Sequence, residues 1–166
     1  KLLREIYTSI KKHVPNKFLV GVRISPEIKN LGITLDDSLE LVKILRNLDV
    51  DFIHISCWDI YARSITYPDN SRTLTQWFTD SIYDLPPLIS TGNIWSTLDA
   101  HNAIKQGADL IGVARVAIPY PDWPKKLNID SYNPKKAPFS VAQLKKAMLS
   151  EKFIKYMQNW DGFVIE

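Results

Sequence analysis

The chain has 166 residues, enough for one sizeable hydrophobic core but fewer than two ordinary domains need. Hydrophobic residues make up 45% of it and charged residues 23%, as in ordinary globular proteins. The net charge of +3 is mild and no dense basic run occurs, so we expect no nucleic-acid partner. No apolar stretch reaches the roughly 18 residues of a membrane span, and no secretory signal opens the chain, so we expect no membrane association.

Only one cysteine, Cys57, occurs in the chain, which excludes an internal disulfide. A single thiol is typical of a reducing compartment, and we therefore expect a cytoplasmic protein. The chain begins at Lys1, within a helical pattern and without an initiator Met. We interpret this as a cut edge and expect the natural protein to continue upstream, although a processed N-terminus would look the same.

Hydrophobic periodicity predicts helices and strands in strict alternation up to about residue 115. The helices are predicted at 1–13, from Thr34 to about 48, at 75–83 and from Ser96 to about 106. Short apolar runs rich in β-branched residues predict buried strands at 18–24, 51–56, 87–92 and 109–115. The tail is rich in proline and lysine at first, and then predicts one or two helices between 140 and 159.

Two of these helices begin at residues that favour an N-terminal cap. Thr34 precedes two acidic residues, and Ser96 is followed three residues later by Asp99, a variant of the capping box. Gly107 suits the left-handed turn that often ends a helix. The apolar stripes expected to face the core are Leu41, Ile44, Leu45 and Leu48 in one helix, and Ala100, Ala103 and Ile104 in the other.

Strands that alternate with helices predict an α/β fold with a parallel sheet and right-handed crossovers. A doubly wound open sheet and a segment of a (β/α)8 barrel both fit this pattern. A complete barrel needs about 250 residues, so the second possibility would make the chain a fragment. The connection at 57–72 is polar, aromatic and too long for an idle loop, which suggests a functional role.

Strand parity places polar side chains on one face of the predicted sheet. Arg23 shares a face with Gly21 and Ser25, and His54 shares one with Ser56, near the strand ends where parallel-sheet enzymes place their sites. A strand arginine either pairs with a neighbouring carboxylate or contacts a ligand. A single strand histidine such as His54 is more often a hydrogen-bonded core group than a catalyst.

Two neighbouring turns indicate a phosphate site. Thr91, Gly92 and Asn93 end the third strand just before a helix N-terminus, where free amides and the helix dipole would attract an anion. Ala114 and Arg115 end the fourth strand and would add an accessible amide and a fixed positive charge. Barrels often bind phosphate with the loops after their last two strands. The alternative is that the glycines of both strands serve only tight packing.

Several segments resemble the NADH:flavin oxidoreductase (old yellow enzyme) family, in its order and at its spacing. They are GVRIS at 21–25, GIT at 32–34, DFIHIS at 51–56, STGNI at 90–94, GADLIGVAR at 107–115 and PDW at 121–123. The resemblance runs from Lys1 to about Trp123, and the tail is less diagnostic. It identifies the four strands as strands 5–8 of a TIM (β/α)8 barrel, and the chain as its C-terminal half.

This resemblance implies a non-covalently bound FMN above the C-terminal ends of the strands, with NADH or NADPH as the hydride donor. Arg23 matches the arginine beside the pyrimidine edge of the flavin. There the guanidinium would stabilise the negative charge that develops on the reduced ring.

The resemblance also assigns the phosphate turns. Thr91, Gly92 and Asn93 match the first turn, and Ala114 and Arg115 match the second. The family more often has Gly-Arg at the second turn. Alanine should be tolerated there unless the position needs a positive φ.

The implied reaction has two halves, in which a reduced nicotinamide passes a hydride to the flavin and the flavin passes it to an acceptor such as an activated alkene. The family's substrate-binding His/His or His/Asn pair and its tyrosine proton donor lie in the first half of the barrel. No catalytic residue is therefore assigned here, and the fragment alone should be inactive. A candidate wall of the substrate or nicotinamide pocket is the 57–72 segment, with Trp58, Tyr61, Arg63 and Tyr67.

We expect residues 1–125 to form the C-terminal half of the FMN-binding barrel and residues 126–166 a helical tail packing on it. A half-barrel has unpaired strand edges, so we expect a homo-oligomer or a complex with the missing N-terminal half. Two alternatives remain: a non-catalytic half-barrel that binds a phosphorylated ligand, and a phosphate-binding isomerase or lyase. The second would have only His54 and scattered carboxylates as acid and base. The sequence predicts no metal site.

Overall fold

A computed structural model describes residues 1–165 of the chain. Its helices are α1 (Leu2–His13), α2 (Leu35–Asn47), α3 (Leu74–Ser81), α4 (Thr97–Lys105), α5 (Val141–Lys146) and α6 (Glu151–Met157). Its strands are β1 (Gly21–Ile24), β2 (Phe52–Ser56), β3 (Leu88–Thr91), β4 (Leu110–Gly112), β5 (Phe139–Ser140) and β6 (Val164–Ile165). None of the helices in this part of the chain has the length and apolar character needed to span a bilayer.

The first four strands form one parallel sheet and lie in chain order, β1 beside β2, then β3, then β4. Each crossover between neighbouring strands carries one helix, α2, α3 or α4. The predicted α/β fold with parallel strands is therefore confirmed. The core of this sheet is aliphatic and aromatic, and its side chains without solvent exposure include Leu35, Val42, Leu45, Ile53, Ile55, Phe78 and Leu88.

The chain divides into two compact units. The first comprises Lys1–Gly92 and Ala103–Gly112 and contains the four-stranded sheet. The second comprises Asn93–Asn102 and the chain from Val113 onward, with an aromatic core around Phe139. In this second unit α5 and α6 confirm the predicted helices of the tail. The parallel pair β5–β6 was not predicted, because two-residue strands leave too short a pattern in the sequence.

The helix caps are confirmed, and the apolar stripes are partly wrong. The Thr34 hydroxyl accepts the Asp37 amide in a reciprocal capping box, and Gly107 has a φ of +96°. In α2 Leu45 is buried, but Ile44 faces solvent and Val42 takes its place. The helix begins at Leu35, so positions 35, 38, 42 and 45 form the buried face. In α4 Ala100 and Ala103 are buried, whereas Ile104 is exposed.

All four strands of the sheet are shorter than the sequence predicts, and the difference is largest for β1 and β4. In β1 the strand begins at Gly21, while Phe18 and Leu19 are exposed. β1 and β4 lie at the two edges of the sheet and are only partly buried, so the expectation of buried strands is wrong for both. β4 ends at Gly112, and Arg115 opens a 3-10 turn instead of ending the strand.

The long connection after β2 is anchored by one carboxylate that the sequence did not single out. Glu27 Oε1 accepts hydrogen bonds from the Ser64 hydroxyl at 2.6 Å and from the Thr66 amide and hydroxyl at 3.1 and 2.6 Å. Its Oε2 accepts the Ile65 amide at 2.9 Å. Burial alone would raise the pKa of Glu27, but these hydrogen bonds outweigh it and lower the pKa. The segment is therefore an ordered part of the fold.

We expect Glu27→Gln to reduce the free energy of unfolding by about 1–3 kcal/mol, because the new amide group would face the Ile65 amide, donor against donor. A carboxyl whose pKa is lowered by folding stabilises the protein above its unfolded pKa and loses this effect as pH falls through the folded pKa. The difference between wild type and variant in urea denaturation should therefore shrink in acid. Glu40→Gln, at an exposed pair with Lys43, is the control and should change little.

Candidate functional site

One face of the four-stranded sheet carries the polar side chains that the sequence singled out. Arg23 lies opposite His54 in the β1–β2 register, and Ser56 lies opposite Thr91 in the β2–β3 register. The alternate residues of β2 are fully buried on the other face. Strand parity was therefore sufficient to predict that Arg23, His54 and Ser56 share a face.

Arg23 has no carboxylate partner. Its Nη2 donates to Ser56 Oγ at 2.6 Å, the side chain is exposed, and no ion pair within residues 1–165 includes it. The alternative of an ion pair with a neighbouring strand carboxylate is therefore wrong. A guanidinium that binds only a neutral hydroxyl keeps most of its charge and its other donors for an anionic group.

His54 is a hydrogen-bonded group of the sheet. Its Nε2 lies 2.7 Å from Thr91 Oγ1. Burial lowers the pKa of His54, and the positive charge of Arg23 lowers it further. The ring is therefore neutral at pH 7 and holds the Thr91 hydroxyl, which is the structural role that the sequence favoured for it.

Gly92, just after β3, and Gly112, at the end of β4, are both required by close packing. A Cβ on Gly92 would lie 2.8 Å from the Asp59 amide nitrogen and 2.9 Å from the Cys57 carbonyl oxygen. A Cβ on Gly112 would overlap the Thr91 hydroxyl. Tight packing is thus a sufficient reason for both glycines, and their proximity to a ligand stays a prediction.

At the start of α4 the amides of Trp95, Ser96 and Thr97 have acceptors within the chain, whereas a role of the turn at 91–93 in anion binding stays a prediction. Asp99 Oδ2 accepts the amides of Trp95 and Ser96 at 3.0 and 2.9 Å, and the Tyr132 carbonyl accepts the amide of Thr97 at 3.0 Å. The Ser96 hydroxyl completes the predicted capping box by accepting the Asp99 amide at 3.1 Å. These amides are satisfied within the chain, so an anion would have to be bound by other groups.

Such groups lie at the second turn. Ala114 has a negative φ of −131°, so this position does not need the positive φ that would have disfavoured alanine where the family more often has glycine. Within residues 1–165, no hydrogen bond uses the backbone amides of Ala114 and Arg115. The Arg115 guanidinium is exposed and donates to Asn93 Oδ1 at 3.3 Å. Two consecutive amides beside a guanidinium form a donor set that fits the dianion of a phosphate monoester.

The segment after β2 contains one aromatic side chain, Trp58, that is almost completely exposed to solvent. Trp58 is 90% exposed, whereas Tyr67 donates its hydroxyl to Asp36 and stacks on Trp77. Cys57 is buried, which raises the pKa of its thiol to about 12 and leaves it unreactive. The role of this segment as a pocket wall stays a prediction, and Trp58 is the residue in it best placed to meet a ligand.

The sequence is similar to that of NADH-dependent flavin oxidoreductases. The sequence model of the NADH:flavin oxidoreductase / NADH oxidase family matches residues 1–133. Over 127 residues the chain is 30% identical to a Bacillus subtilis (strain 168) protein named "Probable NADH-dependent flavin oxidoreductase", covering 76% of this chain and 34% of that protein. An NADH:acrylate oxidoreductase of Vibrio harveyi is 31% identical over 121 residues, 70% of this chain and 12% of that one.

Solved structures with a similar fold include old yellow enzyme homologues. The crystal structure of an old yellow enzyme homologue from Zymomonas mobilis superimposes with a TM-score of 0.51 at 20% identity, over 75% of this chain and 34% of that one. This similarity shows the fold alone. The chain spans only about a third, or less, of the length of these relatives.

We expect Gly92→Ala to destabilise the fold by about 1–3 kcal/mol, because the new methyl group would collide with backbone atoms that cannot move aside. Gly92→Asn should destabilise the fold more than Gly92→Ala does, since the asparagine side chain is larger. At Gly32 the space is open and only the φ of +68° opposes a side chain, so Gly32→Asn should be better tolerated than Gly32→Ala. We therefore expect alanine to be the milder substitution at Gly92 and asparagine the milder one at Gly32. Urea denaturation of the four variants would test this.

Proposed function

Since the chain belongs to the NADH:flavin oxidoreductase / NADH oxidase family, we propose that it is the C-terminal half of an FMN-dependent (β/α)8 barrel enzyme. Enzymes of this family use FMN together with a reduced nicotinamide. The β1–β4 sheet supports the barrel assignment, because its strands keep chain order without the reversal that marks a doubly wound sheet. Its strands would be the fifth to eighth of the barrel.

The observation that carries the proposal is the donor set at the second turn. Ala114 and Arg115 present two consecutive amides with no acceptor in residues 1–165, beside an exposed guanidinium. We assign them, with Asn93, to the phosphate of FMN. The resemblance assigns Thr91 and Gly92 to the same phosphate. Their carbonyl oxygens already accept the amides of the segment after β2, which holds this turn in one conformation.

Arg23 is the residue we assign to the flavin ring. Its guanidinium is exposed, has only the Ser56 hydroxyl as a partner and lies on the polar face of the sheet. FMN, when bound, supplies the hydride-transfer chemistry. The contribution of Arg23 is a fixed positive charge, which favours the more negative, reduced state of the ring. The neutral ring of His54 next to it adds no competing charge.

The acceptor that we propose is an activated alkene. One relative is named as an NADH:acrylate oxidoreductase, and acrylate is an alkene conjugated to a carboxylate. The hydride donor would be NADH or NADPH. We propose a cytoplasmic enzyme in which residues 1–125 belong to the barrel and residues 126–166 form a tail on it. The first half of the barrel would supply the catalytic residues, so this half alone would be inactive. It would form a homo-oligomer or a complex with the first half.

We expect Arg115→Ala, in the full-length protein, to weaken FMN binding by roughly 10- to 100-fold, the worth of a charge-assisted hydrogen bond of 1.5–3 kcal/mol. Arg115→Lys should bind FMN with an affinity between those of the wild type and Arg115→Ala, because it keeps the charge and loses the planar pair of donors. Flavin absorbance per protein after dialysis measures the loss. Arg4→Ala, in α1, is the control. An unchanged flavin content in Arg115→Ala would show that this turn does not bind the phosphate.

We expect Arg23→Ala to lower the midpoint potential of bound FMN by at least roughly 30 mV, equivalent to about 1.4 kcal/mol for two electrons. FMN content should change little, because the phosphate contacts remain. Anaerobic titration with a reference dye measures the potential, and Arg23→Lys should restore most of it. A potential that does not move would place Arg23 away from the ring.

A further inference from the structure

Trp58 combines a strained backbone with nearly complete exposure. Its φ is +39°, a conformation that a bulky L residue rarely adopts. Its side chain is 90% exposed, so the indole contributes almost nothing to the core. Glycine or asparagine would occupy this backbone conformation at less cost. The chain therefore keeps a large aromatic ring where neither the backbone nor the packing of residues 1–165 calls for one.

The strain is maintained by the residues on either side. Cys57 and Ile60 are each 1% exposed. The Cys57 amide donates to the Thr91 carbonyl at 2.7 Å, and the Ile60 amide donates to the Gly92 carbonyl at 3.1 Å. The turn is thus fixed at both ends, and residue 58 cannot relax into another conformation. Strain of this kind, over-determined by its surroundings, is typical of ligand-binding sites.

The position of Trp58 relates it to the polar face. It follows β2 by two residues, and Ser56 at the end of β2 accepts the hydrogen bond from Arg23. Ligands of parallel α/β sheets bind at the carboxyl ends of the strands. A compact turn follows Trp58, in which the Ala62 amide donates to the Asp59 carbonyl at 3.0 Å. Arg63 comes directly after this turn, is exposed and forms no ion pair within residues 1–165.

We propose that Trp58 stacks on a planar ring of the reduced nicotinamide dinucleotide and that Arg63 pairs with its pyrophosphate. The inference rests on the proposed function, which requires such a hydride donor. A flat ring joined to an anion matches an exposed indole followed by an unpaired guanidinium. A small alkene such as acrylate has the anion but no ring, so the indole is better explained by the donor.

The test uses the full-length, flavin-loaded protein and the rate of flavin reduction at varied donor concentration. Trp58→Ala should raise the apparent Kd for NADH by about 10-fold, within the range for a base stacked on an aromatic side chain, and leave the limiting rate unchanged. Trp58→Phe should retain most of the affinity. Arg63→Ala should weaken the binding of NADH as well. Tyr83→Ala, at a side chain that is 89% exposed before β3, is the matched control and should have no effect.

Reduced nicotinamide mononucleotide, which lacks the adenine, identifies the ring. If Trp58→Ala weakens the binding of both donors, the indole stacks on the nicotinamide; if it weakens only that of NADH, the indole stacks on the adenine. Either result supports the proposal. An unchanged Kd for NADH in flavin-loaded Trp58→Ala overturns it, as does an effect confined to the KM of the alkene. A protein that fails to bind FMN overturns the proposed function itself, which is a separate result.

A second variant gives a readout that does not depend on activity. Trp58→Gly removes the Cβ at the positive φ and loses little packing, so it should raise the Tm by roughly 2 °C while weakening NADH binding. A lower Tm would show that the indole is a structural element, and would overturn the inference.

Discussion

The site depends on the contact between two loops, the one after β2 and the one after β3. The Thr91 and Gly92 carbonyls accept amides from Cys57 and Ile60, and Gly92 lies so close to the Asp59 backbone that no side chain fits between them. This contact defines the conformation of both loops at once. It places Thr91 against His54 and holds Trp58 in its strained backbone conformation. A change at Gly92 would therefore disturb Thr91, His54 and Trp58 together.

The polar face of the sheet is built to keep positive charge available. Arg23 has a neutral partner, and the neighbouring His54 stays uncharged because burial and Arg23 both lower its pKa. Arg115 likewise contacts an amide oxygen in place of a carboxylate. Both guanidinium groups are exposed, so neither needs a carboxylate to offset burial. Leaving them to neutral partners is consistent with a cofactor that brings its own negative charge.

The family model covers residues 1–133, and the chain spans only a part of each relative, so the activity of the whole protein is inferred from one region. Within that region the Trp95 and Ser96 amides at the start of α4 are bonded to Asp99. The phosphate that we propose is therefore assigned chiefly to the groups around Arg115.

The sequence by itself determined the α/β class, the helix caps at Thr34 and Ser96, and the shared face of Arg23 and His54. These features depend on local periodicity and on residue types whose preferences act within a few positions. Only the tertiary structure decided what those side chains touch. It showed that Asp99 occupies the amides at the helix start and that Glu27 anchors a segment almost forty residues away. It also showed that Trp58 sits at a positive φ. Such contacts join residues that are distant in the chain or depend on exact backbone geometry, and no periodic pattern records them.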